Sequence, residues 1–145
     1  MKAFSLENNA ALVTGSSQGI GLAIAQGLAE AGCDMVLHGL VASTDMQDLC
    51  EHLQSRHQVR VHYIEQDLSH HAGVLRLHEE THAIIGPPDI LINNAVIRHF
   101  GPIETLAFED WEKSLAVNIS AAFGLIQCVI PAMREAGYGR LIQMA

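Results

Sequence analysis

Glycines and small polar residues after the first apolar run of the chain form a segment that could bind phosphate. The segment is Thr14-Gly15-Ser16-Ser17-Gln18-Gly19-Ile20-Gly21, and a helical pattern follows it. Each glycine removes a Cβ where the backbone turns or approaches a ligand, and the N–H groups that open a helix carry partial positive charge. The spacing GxxxGxG matches neither GxGxxG nor the P-loop GxxxxGK[ST]. The segment therefore predicts a pyrophosphate-binding turn and weakens a kinase or ATPase interpretation.

Four further segments are expected at the same crevice. Asp67-Leu68 ends the third predicted strand, Asn93-Asn94-Ala95 ends the fourth, Asn118 lies in a long predicted helix, and residues 139–142 start the fifth strand. Taken singly, they also fit a helix-start acid, a turn and a solvated helical amide. Ligands of open α/β sheets bind outside the carboxyl ends of the strands, so the joint spacing favours one binding site.

Histidines offer a competing chemistry. His78-Glu79-Glu80-Thr81-His82 reads as HExxH, in which two imidazoles on one helix face bind zinc and the Glu acts as base. A zinc hydrolase that uses His78, Glu79 and His82 is thus an alternative, although no Gly and His follow at metzincin spacing. We favour solvent-facing histidines and predict no metal site. Arg98 and His99 follow the fourth strand, where they are either surface residues or a means of attracting an acidic substrate.

The elements that must position these residues alternate between strands and helices. Strands are predicted at 10–13, 35–38, 59–65, 90–92 and 140–144, and helices at 19–31, 43–56, 69–85 and about 108–136. Gly32, Gly86 and Gly137 mark helix ends, while Ser43 and Ser69 are candidate N-caps. Right-handed crossovers then predict an α/β fold, namely a three-layer, Rossmann-like, doubly wound parallel sheet of strand order 3-2-1-4-5.

Length and composition limit the classes of function. The 145 residues make one domain, and 49% hydrophobic content argues for a folded core. Eight scattered Lys and Arg against sixteen Asp and Glu give a net charge of −8, which disfavours a nucleic-acid partner. No signal peptide or uninterrupted apolar span is evident, so we expect a cytoplasmic protein with no membrane partner. Cys33, Cys50 and Cys128 are interpreted as reduced structural thiols.

In combination, TGxxxGxG, Asp67-Leu68, the Asn93 to Ala95 turn and Asn118 resemble the classical short-chain dehydrogenase/reductase family over the whole chain. The resemblance implies an NAD(P)-dependent oxidoreductase that interconverts hydroxyl and ketone groups of a small-molecule substrate. It assigns the catalytic helical amide, which orders a proton-relay water, to Asn118. Its implied cofactor-binding residues are Gly15, Ser17, Gly19, Ile20, Gly21, Leu40, Asp67, Leu68, Asn93, Asn94 and Ala95.

Departures from the family pattern concern the cofactor. Val96 stands where the family has the Gly of its NNAG turn, which places two methyl groups beside the expected nicotinamide ribose. After the second strand, His38-Gly39-Leu40 offers neither a carboxylate for a ribose 2′-hydroxyl nor an Arg for a 2′-phosphate, and Gln18 is neutral. Since a 2′-phosphate adds negative charge to an acidic protein, we expect NAD in preference to NADP.

The catalytic residues of the family are a further departure. The family places a catalytic Ser near the end of strand five and a YxxxK motif on the next helix. Neither Tyr63 nor Tyr138 has a Lys four residues on. We therefore expect a domain at 1–145 that is truncated after strand five, lacks the C-terminal catalytic half and has negligible activity; a non-catalytic or vestigial dinucleotide-binding module is the alternative. Apolar surface on strand five and the long helix should make the chain a homo-oligomer.

Overall fold

The computed structural model describes residues 4–145. Five strands alternate with helices along this part of the chain. The strands are β1 (Ala10–Val13), β2 (Asp34–Gly39), β3 (Val61–Glu65), β4 (Ile90–Asn93) and β5 (Arg140–Gln143). The α-helices are α1 (Gly19–Glu30), α2 (Gln47–His57), α3 (His71–Ile85), α4 (Phe108–Leu115) and α5 (Ala121–Ala136). Short 3₁₀ turns at Ser43–Met46 and Ile103–Thr105 precede α2 and α4, and a π-helical segment, Ala116–Ser120, joins α4 to α5.

The five strands form one parallel sheet in the order β3-β2-β1-β4-β5, which confirms the predicted doubly wound, Rossmann-like fold. β1 lies at the centre, with Val13 opposite Leu37 of β2 and Ile92 of β4. The strand order reverses direction beside β1, so the carboxyl ends of β1, β2 and β4 open onto a crevice at the topological switch point.

Hydrophobic residues on the two faces of the sheet form two separate core layers. One layer holds Val13 and Leu37 beneath α1 and α2. The other holds Leu12 and Val36 beneath α3 and α5, with Leu125 of α5 fully buried. Because β1 and β2 are buried on both faces, their sequences are continuously apolar, as expected for strands of a parallel sheet covered by helices.

Two details at the helix starts differ from prediction. Neither proposed serine N-cap is found: α3 begins at His71, and the Ser69 hydroxyl donates to the Asp67 carboxylate at 2.8 Å. Ser43 opens a 3₁₀ turn, and its backbone N–H donates to Glu65 Oε2 at 3.2 Å. At Ser69 the Asp67 carboxylate therefore engages the hydroxyl that would cap the helix, because an ionised acceptor forms a stronger hydrogen bond than a neutral one.

The surface formed by α4, the π segment, α5 and β5 remains rich in apolar side chains. Large exposed residues on it are Phe108, Trp111, Ile119, Phe123, Leu141 and Ile142. All four residues of β5 are exposed, as expected for a strand at the edge of the sheet. The structure thus agrees with the expectation of a bare apolar surface here.

The continuous helical stretch Phe108–Ala136 is 29 residues long and is apolar enough, by length and composition alone, to cross a membrane. Asn118 and Gln127 interrupt the apolar run without adding charge, so the stretch is apolar on average without being an uninterrupted apolar span. One such helix is weak evidence for a membrane span. Leu125 and Val129 of this stretch are buried against the sheet, while 28% of its most apolar window is buried in all.

Candidate functional site

The turn between β1 and α1 is shaped by two glycines that have no room for a side chain. Gly15 has φ +62°, and a Cβ there would lie 2.8 Å from the Ala95 Cα. A Cβ at Gly21 would collide with the Gly15 carbonyl oxygen and lie 2.5 Å from Asn94 Nδ2. α1 therefore starts directly against the turn. The N–H groups of Gly19 and Ile20 lie in its first turn, where helix geometry leaves them without an intrahelical acceptor.

Thr14 connects this turn to the end of β4. Its buried hydroxyl accepts hydrogen bonds from the N–H groups of Asn94 and Ala95, both at 3.0 Å, and lies 3.4 Å from the Ile92 carbonyl. The Asn94 side chain donates from Nδ2 to the carbonyls of Thr14 at 3.2 Å and Gly15 at 2.9 Å. The sequence places Thr14 in the glycine segment but gives it no role of its own, because its partners lie about 80 residues away in the chain.

A cleft of about 770 Å³ opens at the carboxyl ends of β1 to β4. Ten of the residues implied by the family resemblance line it: Gly15, Ser17, Gly19, Ile20, Gly21, Leu40, Asp67, Leu68, Asn94 and Ala95. Its volume falls within the range of small-molecule and cofactor sites. The structure therefore brings most of the implied cofactor residues together in one site.

Asn93 is the exception among these residues. Its side chain is only 8% exposed and lines a separate cavity of about 30 Å³, together with Asn118 and Gln143. Asn93 Nδ2 finds no hydrogen-bond partner among the described residues. Asn93 is thus not among the residues that line the large cleft, and its predicted place along the ribose stays a prediction. Successive residues at a strand end point to opposite faces, so only one amide of the pair reaches the cleft.

Asn118 lies in the π-helical segment next to this small cavity. Its Oδ1 accepts from the Ile97 N–H at 2.8 Å, and its Nδ2 donates to the Ile97 carbonyl at 2.9 Å. The Asn118 side chain, to which the resemblance assigns the ordering of a water, therefore forms two hydrogen bonds with the backbone that follows β4. Single π turns in α-helices occur frequently at functional sites.

The adenosine end of the cleft, as the resemblance defines it, is formed by residues after β2 and β3. Leu40 is 65% exposed and Val41 39% exposed, and Tyr63 Oη donates to the Val41 carbonyl at 2.8 Å. The Asp67 carboxylate accepts from the Ser69 N–H at 2.8 Å, and this bond holds the pKa of Asp67 below its usual value. None of the cleft-lining residues at the end of β2 and in the loop after it, Leu40 and Val41 included, is Lys or Arg.

Three basic residues belong to the lining of the cleft, and Lys113 is close enough to Asp67 to contribute to the lowered pKa of that carboxyl. Arg98, His99 and Lys113 line the cleft, and neither Arg98 nor Lys113 forms an ion pair with a described residue. His99 contacts the α4 residues Ser114, at 3.0 Å from Nδ1, and Asp110, at 3.4 Å from Nε2. The sequence placed Arg98 near this region. Lys113 was missed, although its position four residues before Val117 puts both on one helix face.

The sequence shows His38 only as a residue that supplies no charge for the cofactor, whereas the structure gives its ring two hydrogen-bond partners. His38 is 3% exposed at the end of β2, with Nδ1 3.1 Å from the Gly15 nitrogen and Nε2 2.8 Å from the Gln66 carbonyl. Burial lowers the pKa of His38 from its ordinary value of 6.5, although the Gln66 carbonyl and Asp67 favour the protonated ring. The neutral imidazole is therefore the form that supports the turn.

The HExxH segment lies on α3, away from the cleft. The rings of His78 and His82 are 6.2 Å apart, and burial together with His82 lowers the pKa of His78. Within residues 4–145, no group of three or more His, Cys, Asp or Glu side chains is arranged to hold a metal. The segment thus lacks a third protein ligand, which catalytic zinc sites supply.

The fold and the cleft together define a protein of the Rossmann type. Residues 9–145 match the family model described as short chain dehydrogenase. The chain therefore belongs to the short-chain dehydrogenase family.

Curated relatives support the same assignment. D-beta-hydroxybutyrate dehydrogenase of Rhizobium meliloti (strain 1021) is 34% identical over 93% of this chain and 52% of its own length. The protein of that name from Cupriavidus necator is also 34% identical, over 97% of this chain and 54% of its own. The chain thus spans about half the length of these relatives.

Solved structures give the same picture. The L-sorbose reductase of Gluconobacter frateurii, complexed with NADPH and L-sorbose, superposes with a TM-score of 0.90 at 32% identity, over 97% of this chain and 53% of that one. The Pseudomonas aeruginosa RhlG/NADP complex has a TM-score of 0.80 at 36% identity, over 92% of this chain and 51% of that one.

Proposed function

We propose that this chain binds a nicotinamide dinucleotide in the cleft and forms the cofactor-binding half of an oxidoreductase that interconverts hydroxyl and ketone groups. The observation that carries the proposal is the glycine turn, where Gly15 and Gly21 allow α1 to start against the cleft wall. A pyrophosphate would bind the N–H groups of Gly19 and Ile20, with the adenine near Asp67. When bound, the nicotinamide supplies or accepts a hydride.

We further propose that NAD is the preferred nucleotide, although the L-sorbose reductase structure contains NADPH. A 2′-phosphate carries about two negative charges and needs a cation beside it. Leu40 and Val41, beside the expected ribose, supply no cation. In the loop that continues from them, the Ser43 N–H donates to the Glu65 carboxylate, which adds negative charge there. Val41→Arg should therefore raise NADPH affinity, and Val41→Gln, which adds length without charge, should not.

Hydride transfer also requires a group that donates or accepts a proton at the substrate oxygen. Neither tyrosine of the chain fits this role. Tyr63 Oη is bound to the Val41 carbonyl, and burial raises the pKa of its phenol. The Arg140 guanidinium lies 4.6 Å from the centre of the Tyr138 ring. Tyr138 precedes β5 and is not among the residues that line the cleft. We therefore propose nucleotide binding without appreciable turnover for the 145-residue chain.

The exposed apolar surface of α4, α5 and β5 supports a further proposal, that copies of the chain associate. Phe108, Ile119 and Phe123 are each more than 60% exposed. Large exposed apolar patches mark protein interaction sites. Light scattering on the purified chain should give a mass above that of the 15.7 kDa monomer. A monomer at high concentration would contradict the proposal.

Calorimetric titration of the chain with NADH, NADPH and zinc tests the main proposal. NADH binding, weaker NADPH binding and no change in nicotinamide absorbance with added ketones or alcohols are the expected results. Absence of nucleotide binding would refute the proposed site, and substrate-dependent oxidation of NADH would refute the proposed lack of turnover. Stoichiometric zinc binding without nucleotide binding would instead favour the hydrolase alternative at His78 and His82.

A further inference from the structure

The imidazole of His38 lies between two backbone groups of different polarity, and this fixes its protonation state. Gly15 can only donate its N–H, so Nδ1 at 3.1 Å must accept it with a lone pair. The Gln66 carbonyl can only accept, so Nε2 at 2.8 Å must carry the proton. One neutral tautomer, with the proton on Nε2, satisfies both groups.

The ring is part of a connection between β2 and the glycine turn. The Ser16 N–H donates to the His38 carbonyl at 2.8 Å, and the His38 N–H donates to Ser16 Oγ at 3.0 Å. Ser16 Oγ in turn donates to the Val13 carbonyl at 2.7 Å. These bonds fix the backbone on either side of Gly15, and the Gly15 N–H is the remaining donor that only the His38 ring satisfies.

We propose that His38 is a positioning residue for nucleotide binding, which holds the glycine turn in its phosphate-binding shape only while Nδ1 is unprotonated. A proton on Nδ1 would face the Gly15 N–H, so two donors would oppose each other in a buried space. The turn would then have to move away from β2. This inference rests on the proposed nucleotide site, because it concerns the shape of that site.

The groups that titrate near His38 come from the elements packed around it. Asp67, after β3, acts on the ring through space and favours its protonation. On β3, Ile64 faces the same core layer as His38 of β2. Tyr63 and Glu65 point to the other face of β3 and therefore away from the His38 ring. α3 covers that layer with Val74 and Leu77, which do not titrate. Burial opposes the charge and lowers the pKa of His38.

Two substitutions test the two hydrogen bonds of the His38 ring one at a time. The amide oxygen of Asn in His38→Asn comes near the position of Nδ1, so this variant keeps an acceptor for Gly15 and does not titrate. The longer amide of His38→Gln reaches toward the Nε2 position, so that variant keeps a donor for Gln66 and loses the acceptor. The pair therefore distinguishes the Gly15 contact from general packing at this buried position.

The test measures NADH affinity by calorimetry from about pH 8 down to about pH 5, because burial moves the titration of His38 below the ordinary pKa of an imidazole. NADH is used because the second ionisation of a monophosphate, with a pKa of about 6, would complicate data for NADPH. We expect the affinity of the parent chain to fall roughly tenfold across this range, as for loss of a buried hydrogen bond. His38→Asn should show a flat profile, and His38→Gln should bind weakly at every pH.

Nuclear magnetic resonance of the free chain provides a readout that does not depend on the nucleotide. Nitrogen shifts of the His38 ring should report the Nε2-protonated tautomer, and the Gly15 amide proton should shift as the ring titrates. Another tautomer, or a Gly15 signal unaffected by pH, would overturn the inference. So would a pH profile that is the same in His38→Asn as in the parent chain. If no variant binds NADH but the ring behaves as expected, the proposed nucleotide site fails and the His38–Gly15 contact stands.

Discussion

A methyl group at Gly21 should disrupt the glycine turn, whereas one at Gly27 of the same helix should not. A Cβ at Gly21 would collide with the Gly15 carbonyl oxygen, which is backbone, and would lie 2.5 Å from Asn94 Nδ2. A Cβ at Gly27 meets nothing within 4 Å. The two substitutions therefore add the same atom to one helix in two different surroundings.

The expected free energies have opposite signs. Overpacking at Gly21 costs about 1–3 kcal/mol. Separating Asn94 Nδ2 from the Gly15 carbonyl, now 2.9 Å apart, costs about 1 kcal/mol more. Against this, Ala is favoured over Gly within a helix by about 0.5–1 kcal/mol, and Gly27→Ala gains that amount alone. The free energies of unfolding of the two variants should thus differ by roughly 2–4 kcal/mol.

Urea unfolding followed by circular dichroism measures this difference, provided that the slope against urea is the same for both variants. NADH titration gives the second readout: Gly27→Ala should bind like the parent chain, and Gly21→Ala should bind at least tenfold more weakly, because the α1 N-terminus moves from the pyrophosphate position. A Gly21→Ala variant that is as stable as Gly27→Ala and binds NADH normally would refute the geometry of the turn.

Three other substitutions or conditions give clear expectations. Thr14→Val removes the buried oxygen that accepts from Asn94 and Ala95, so the free energy of unfolding should fall by about 2–4 kcal/mol in urea, and Thr14→Ser should recover most of it. Val96→Gly removes a half-exposed side chain from the cleft and should raise NADH affinity by calorimetry; an unchanged affinity would show that Val96 does not obstruct the site. Acid should destabilise the fold below pH 6.5, because the unfolded chain takes up a proton at His38 that the folded chain excludes. The contribution of His38 to the free energy of unfolding should fall by up to about 1.4 kcal/mol per pH unit. An equally steep loss in His38→Asn would contradict the assignment.

The sequence predicts the strand order and most of the cleft because both depend on local patterns. The short apolar run at 10–13, the glycines from Gly15 to Gly21 and the helical period that follows indicate a strand, a turn and a helix in succession. Asp67 and Asn94 follow strands in that same series. Once the sheet is parallel, the carboxyl ends of its strands must share one edge, so these residues meet without any further information.

The remainder depends on contacts between distant parts of the chain. Asn93 and Asn94 are identical in type and adjacent, and only the pleat of β4 decides that one faces the cleft and the other a small internal cavity. The π turn around Asn118 inserts one residue into a helical period, which a window over the sequence averages out. His38 ends an apolar run and reads as a strand residue, since its partner Gly15 is 23 positions away.

The lining of the large cleft begins at Gly15 and ends at Val117, so α5 and β5 take no part in it. This separation makes the chain suitable for engineering by recombination. The segment proposed to bind the nucleotide could be joined at β5 to the second half of a longer family member, or supplied with that half as a separate polypeptide. Reconstituted turnover in such a hybrid would depend on how well the new half covers Leu141 and Ile142, which the present chain leaves open to solvent.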